Sequence, residues 1–588
     1  MPVMLIALLL GTLGVLPAQA DSPKQLKPLA VVSLAGCDAM RADVEFIGKL
    51  SGNPNLGKAL DAIVTLATKG QGLAGLDKTR PWGVVIQTDG GKPTGYACIP
   101  VTDLAPMLRL VNSLGCKVTD EGDGVFKIET KKKPLYVTEK DGWAIVCDDP
   151  QRLAQVPAKP ARLLRGLSKR YDLAVRLYVS NMPQECRQKL AKCLREHAKK
   201  RLARRSGGTE QEQAVRKQLA RHMVRSINAA INDLDRVTLG WSLDQEAERA
   251  LLELTITAKE GTKTAECLGQ LSEAKTKFGG FRIGGAALSC GVTCNKPVEN
   301  PELLDAVFEV IQARVAKRID KKVKAEQKAE VLKKFAAGLL EVARETKQTG
   351  KVDGAMSLLL RPNGVTLIGG RYVADADKLE KTFGDLVDAI RKKYPDRVEK
   401  VLTPNAEKFE GVRLHRLSIT IPEKAKCREK AVKLVGEKLE VVMGIGPECV
   451  YLAAGKNATA ALKRAIAKSK TLSDKPARPM QLSLDLGTIA TFAAAVGKEE
   501  CRAKAEKALA AMEDVSGDQI RVTVNPINRG VRCRLEIQPA ALKALATVRP
   551  HHHCKTWGGH DKKGHHGKKG TCPAKKKSPA KKKNPAKE

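Results

Sequence analysis

The sequence predicts an α+β protein: two homologous modules of mostly antiparallel sheet with helices packed on one face, plus a disordered C-terminal tail. Three observations predict it. Short runs of strand composition are joined by hairpin turns and interrupted by segments with helical periodicity. The same succession of runs occurs twice. From Arg549 onward apolar residues become rare, and Lys, His, Gly and Pro take over.

Residues 1–20, MPVMLIALLLGTLGVLPAQA, read as a signal peptide, because an apolar run ends in the small-x-small pattern Ala18-Gln19-Ala20. No later apolar run reaches the ~18 residues of a spanning helix, so no transmembrane span is expected after signal removal. The expected location is the periplasm or the cell surface.

The first module is placed at residues 24–265. WGVVIQ, from Trp82, and GYACIPV form strands around the turn TDGGKPT. Next comes DLAPMLRLVNSLG, where Leu104, Met107, Leu108 and Val111 have helical spacing. FKIET is a short strand. PLYVTEKDGWAIV is a hairpin whose Asp141-Gly142 suits the positive φ of a tight turn. Asp149-Pro150 then supplies an N-cap and a first helical position.

The second module, residues 278–546, repeats this order. AMSLLL and TLIGGRYV flank Asn363-Gly364, and Val373-Ala374-Asp375 stands where Val101-Thr102-Asp103 stood. A helix KLEKTFGDLVDAIRK and the strands GVRLHRLSI and LEVVMGIGPECVYL follow, and ATAALKRAI is a helix after Gly455-Lys456-Asn457. The modules are expected to differ in where helical insertions fall. In the first, two basic helices follow YDLAVRLYV; in the second, a long helical stretch from Pro301 precedes the first hairpin.

RPWGVVIQTDG, KPLYVTEKDGWAIVCDDPQRLA and the signal peptide together resemble a family of large exported bacterial proteins, found as a paralogous set in planctomycetes. The resemblance covers most of residues 31–260 and, more weakly, the second module. It implies export and brings no assigned activity or catalytic residues.

Composition narrows the function. Hydrophobic residues reach 43% but aromatics only 3%, which argues against a stacking platform for bases or sugars. The fifteen cysteines are odd in number, so not all can pair within one chain. Cys98, Cys147 and Cys533 sit in strand-like runs as small buried hydrophobes. Cys290 and Cys294, if extended, stand about 13 Å apart, too far to join each other.

Enzyme signatures are scarce. G-x-S-x-G, H-E-x-x-H and the phosphate-binding P-loop are absent. Ser272-Glu273-Ala274-Lys275 fits S-x-x-K without a K-T-G partner. The body holds only His197, His222 and His415. Asp103, Asp148 and Asp149 could be imagined as acid/base groups, but capping explains Asp103 and Asp149 better. Cys186, Leu190, Cys193 and His197 share a helix face that suits core packing more than zinc.

Charge is the strongest signal. The net charge is +38, of which the tail's twelve lysines against Asp561 and Glu588 give +10. Arg162 to Arg225 holds eighteen Lys/Arg against five Asp/Glu, and HAKKRLARR presents Lys199, Lys200, Arg201, Arg204 and Arg205. These, with Lys575, Lys576, Lys577, Lys581, Lys582 and Lys583, are the expected polyanion-binding residues. PAKKKSPAKKKNPAKE resembles the tails of linker-histone-like proteins, extended by proline and kept open by lysine repulsion. His551, His552, His553, Cys554, His560, His565, His566 and Cys572 offer weak zinc, nickel or copper binding without a fixed finger spacing. No other cofactor is expected.

The expected function is that of an exported non-enzymatic binding or structural protein contacting acidic envelope polymers or lipid phosphates. Nucleic acid would be held without sequence preference, since no base-reading module is present. The alternatives are an envelope hydrolase with a site between modules, and a metal-handling protein working through the tail.

Overall fold

A computed structural model describes residues 26–547, except 92, 132, 158, 160, 204–207, 393–400, 425–427, 474 and 514–515. The first half runs β1 (Lys27–Leu34), α1 (Cys37–Leu50), α2 (Leu56–Ala67), β2 (Trp82–Thr88), β3 (Thr94–Pro100) and α3 (Leu104–Ser113). It continues with β4 (Val118–Asp120), β5 (Val125–Ile128), β6 (Leu135–Lys140), β7 (Trp143–Cys147), α4 (Pro150–Gln155) and α5 (Arg162–Ser168). Then come β8 (Leu173–Tyr178), α6 (Gln184–Ala203), α7 (Glu210–Asp233), β9 (Leu234–Asp244), β10 (Arg249–Ala258) and α8 (Lys263–Gly269).

The second half opens with β11 (Leu288–Asn295), α9 (Pro301–Lys322), α10 (Glu326–Gln348), β12 (Lys351–Arg361), β13 (Gly364–Tyr372) and α11 (Ala376–Arg391). Next are β14 (Leu402–Phe409), β15 (Val412–Thr420), α12 (Arg428–Val435), β16 (Lys438–Gly446), β17 (Cys449–Gly455) and α13 (Ala458–Leu472). It closes with β18 (Met480–Asp485), α14 (Leu486–Val496), α15 (Glu499–Met512), β19 (Gln519–Ile527), β20 (Gly530–Ile537) and α16 (Pro539–Thr547). The architecture is α+β.

The twenty strands among the described residues join one antiparallel sheet. From the outside inward, the first half reads β4-β5-β6-β7-β3-β2-β1-β8-β9-β10. The second reads β14-β15-β16-β17-β13-β12-β11-β18-β19-β20, the same order. β10 and β20 pair antiparallel at the centre. An approximate two-fold axis normal to the sheet therefore relates the halves. They do not part into separate compact units: the chain ahead of Arg549 clusters as one.

Helices pack on both faces of the sheet in each half, while on the α3 side Leu173, Leu239 and Leu252 of the inner strands stay exposed. Neighbouring Val84 and Val85 on β2 enter different cores. Val85 joins Tyr96, Cys98, Ile145 and Leu153 of α4 and Leu164 of α5. Val84 joins Ala97, Val146 and Met107 and Val111 of α3. The second half repeats this, with α13 packed over Tyr451 and Ala453 and with α10 and α11 packed near Ile445. The cause is in the sequence: β7, WAIVC, is buried at every residue, and a strand without a polar side needs cover on both.

The helical insertions also fall differently from expectation. In both halves a helical pair follows the first strand and another follows the eighth; only the lengths trade places. α1 and α2 have 14 and 12 residues, against 22 and 23 in α9 and α10. α6 and α7 have 20 and 24, against 11 and 14 in α14 and α15. The longer pairs meet: Arg314 of α9 lies 2.7 Å from Glu212 of α7, and Gln211 donates to Glu309 at 3.2 Å.

The central join is ionic on one side and apolar on the other. Glu253 on β10 is 3% exposed and stands directly opposite Arg534 on β20. Its Oε2 accepts from Arg534 Nε at 3.1 Å and Nη2 at 2.9 Å. Its Oε1 accepts from the Tyr171 hydroxyl at 2.6 Å and from Arg170 at 3.0 Å, with Arg532 Nε 3.3 Å away. Gly240, the cross-strand neighbour of Glu253, makes room for Tyr171, because a Cβ there would come within 2.4 Å of the ring. On the other side Leu173, Trp241, Leu252, Leu535, Val522 and Leu482 form one cross-strand row.

Burial alone would raise the Glu253 carboxyl. Hydrogen bonds from Tyr171 and Arg534 and the charges of Arg532 and Arg534 outweigh it and hold the group below the usual carboxylate range. A depressed carboxyl stabilises the fold above its unfolded value, about pH 4.3, and that contribution is lost as pH falls through the folded value. Glu253→Gln is expected to cost about 1–3 kcal/mol in urea unfolding at neutral pH, because charge-assisted hydrogen bonds to a buried group are lost while the partly exposed guanidinium groups can turn to water. The gap between wild type and variant should narrow on acidification below about pH 4.

Candidate polyanion surface and other candidate sites

The basic segment forms a pair of antiparallel helices, α6 and α7. Thr209 caps α7, its side chain accepting from the Glu212 N–H. Lys199, Lys200 and Arg201 lie near the C-terminal end of α6, where positive charge complements the helix dipole. Lys200 is exposed. Arg204 and Arg205 lie outside the described residues.

On α7 the sequence reading missed the most organised part of this surface. Lys217, Arg221 and Arg225 are exposed at i, i+4 and i+8, a stripe along one helix face. None has an ion-pair partner among the described residues. Glu212, on the first turn of the same helix, is engaged elsewhere: it is bound by Arg314 at 2.7 Å and by Arg216 at 3.3 Å. Hydrogen bonding from Arg314, aided by its charge and that of Arg216, lowers the Glu212 carboxyl despite partial desolvation. The spacing of 217, 221 and 225 was readable as a stripe, but the loss of Glu212 to α9 was not.

The expected metal ligands His551, His552, His553, Cys554, His560, His565, His566 and Cys572 lie outside the described residues. So do Lys575, Lys576, Lys577, Lys581, Lys582 and Lys583. Among the described residues no group of three or more His, Cys, Asp or Glu is arranged to hold a metal ion. Cys193 and His197 are exposed and Cys186 is half-buried, while Ala191 is buried. The helix face expected to point into the core is thus half-buried at Cys186 and Leu190 and open to solvent at Cys193 and His197.

Cysteines in the described strands are free and buried or half-buried. Burial pushes the Cys98 thiol up to about 12, which makes it a poor nucleophile. Ser272 donates to Gly269 O at 2.6 Å and so closes a helix end rather than meeting Lys275. His222 lies 3.6 Å from Glu299, and His415 lies 3.0 Å from Glu380. Burial lowers the His415 imidazole more than the Glu380 charge raises it.

The imagined carboxylate group is dispersed into caps. Asp103 accepts from the Ala105 N–H at 2.9 Å, and Asp149 from Gln151 at 3.0 Å. Asp375 does the same for Lys378 at 2.8 Å. Asp148 pairs with Arg152 at 2.9 Å. A closer pair went unnoticed in the sequence, thirty-odd residues apart. Asp485 caps α14, accepting from Thr488 at 2.9 Å, and Asp518 accepts from the Gly487 N–H at 3.1 Å. Burial and the charge of Asp485 raise the Asp518 carboxyl. Burial opposes ionisation of Asp485 as well, yet bonds from Thr488 and Asp518 hold it low. Asp518 borders a cavity of about 670 Å³ between α15 and α16, within the second half.

No protein-family model, curated protein or solved structure matches the chain.

Asp149→Ala and Asp103→Ala are each expected to lower unfolding free energy by about 1 kcal/mol in urea titrations. Asn replacements, which cap equally well, should restore most of it.

Proposed function

We propose that this chain is a non-enzymatic binding protein of the cell envelope, holding acidic polymers or lipid phosphates through exposed cations. The observation that carries the reading is the unpaired stripe Lys217, Arg221 and Arg225 on α7, beside Lys200 of α6. Cations left without carboxylates on a folded surface attract phosphate and carboxylate groups without reading sequence. The lysines at 575–577 and 581–583 add a second contact of the same kind. Tethered to a folded body, two weak electrostatic contacts reinforce one another through effective concentration. No described helix is long and apolar enough to cross a membrane.

The test is co-sedimentation with isolated cell envelope over a salt series, using three forms of the protein. These are the full chain, a chain ending at Pro550, and a full chain carrying Lys217→Glu, Arg221→Glu and Arg225→Glu. The full chain is expected in the pellet at low salt and in the supernatant by about 0.5 M. Both altered forms should be released at lower salt, the triple variant with a shallower salt dependence. Pelleting that is indifferent to salt and to both changes would defeat the proposal.

A further inference from the structure

A second basic feature lies in the other half of the sheet, a half-open hollow whose Arg361, Lys456 and Arg464 reach solvent. Two adjoining cavities, of about 630 and 270 Å³, share the wall formed by Leu359, Arg361, Asn457 and Arg464. The wider is completed by Ile283, Gly284, Gly285 and Leu360, and the narrower by Asn363, Gly364, Thr366, Lys456 and Ala461. No aspartate or glutamate lines either one. Arg361 and Arg464 make no ion pair with any described residue.

The fold sets these groups in place. Arg361 ends β12 at its turn into β13, and Arg464 projects from the second turn of α13. Between them the β17–α13 turn is pinned three times: Lys456 N–H donates to Val365 O at 3.0 Å, Thr366 donates to Lys456 O at 2.6 Å, and Lys456 Nζ donates to Asn363 O at 3.1 Å. Gly455 permits the close approach, since a Cβ there would come within 2.0 Å of Val365 O. In the first half the corresponding turn from β7 into α4 carries Asp148 and Asp149, which would repel an anion. In the second half that turn is Lys456-Asn457, and the Asn457 side chain makes no capping bond.

We infer that this double cavity binds a phosphate monoester, its phosphate between Arg361 and Arg464 with Lys456 beside it, and its organic part in the wider lobe. Guanidinium groups suit this task because their planar donors match phosphate oxygens. Gly284 and Gly285 suit the organic part, since a Cβ on either would meet open space. The wider lobe has the volume of a pocket for a small molecule. This inference stands apart from the surface stripe on α7 and does not depend on it.

The experiment is titration calorimetry of the full chain at near-physiological salt, where scattered lysine contacts are screened. The probes are inorganic phosphate and glycerol 3-phosphate. One saturable site per chain is expected, tighter for glycerol 3-phosphate. Arg361→Ala and Arg464→Ala should each weaken it at least about tenfold, the loss of one charge-assisted contact. The triple α7 variant should bind as wild type does. Melting curves matched to wild type establish that the arginine variants fold, and Lys456→Met supplies a milder variant expected to weaken binding several-fold. No saturable binding, or binding unchanged in both arginine variants, overturns the inference. Equal affinity for the two probes overturns the role of the wider lobe.

Discussion

The body depends on a single buried carboxylate. Glu253 sits at the junction of two ten-strand half-sheets, and three guanidinium groups and a phenol converge on it. Taken alone, each is a cost: a buried anion in one half, a cluster of arginines shared between both. Together they offset desolvation and set the register of β10 against β20, which a purely apolar join would leave free to slip by two residues. The registers can be followed outward to the capping aspartates Asp103 and Asp375, with Val101 N–H donating to Gly142 O and Val373 N–H to Glu448 O on the way. That walk places Glu253 and Arg534 at equivalent positions. The axis relating the halves thus passes between two residues of opposite charge.

Much of the fold was legible because local rules decided it. Asp141 and Gly142 adopt φ of 56° and 69°, as the tight hairpin requires. Asp103, Asp149 and Asp375 cap the helices that follow them. What was not legible came from contacts between distant segments. The strand WAIVC was read as a hairpin arm, yet its unbroken hydrophobicity already said that both of its faces would be covered. The placement of the helical pairs was hidden by length: α1 and α2 are too short to look like counterparts of α9 and α10.

The candidate surfaces divide in the same way. The density of cations between Arg162 and Arg225 was visible by counting, but which of them stay unpaired depends on where carboxylates from other elements land. Glu212 is removed from the count by Arg314, a residue 102 positions away. The double cavity was invisible for a related reason. Arg361 and Arg464 belong to a strand and a helix separated by more than a hundred residues, and no local spacing connects them. The one local hint was the substitution of Lys456-Asn457 where the first half has an acidic turn.

The central pairing has a consequence for biosynthesis. β10 is complete at Ala258, but its partner β20 is not complete until Ile537. At ordinary synthesis rates the first half waits roughly 15–55 s with β10 as an open edge. An open edge recruits other strands, and the nearest such strand on a polysome is another copy of itself. In that encounter, kept in the native register, Glu253 would meet Glu253, with Arg532 and Arg534 missing and only the exposed Arg170 of each copy to offset the two charges. The residue that fastens the finished sheet is, before β20 arrives, an inward-pointing charge that protects the nascent edge from its own kind.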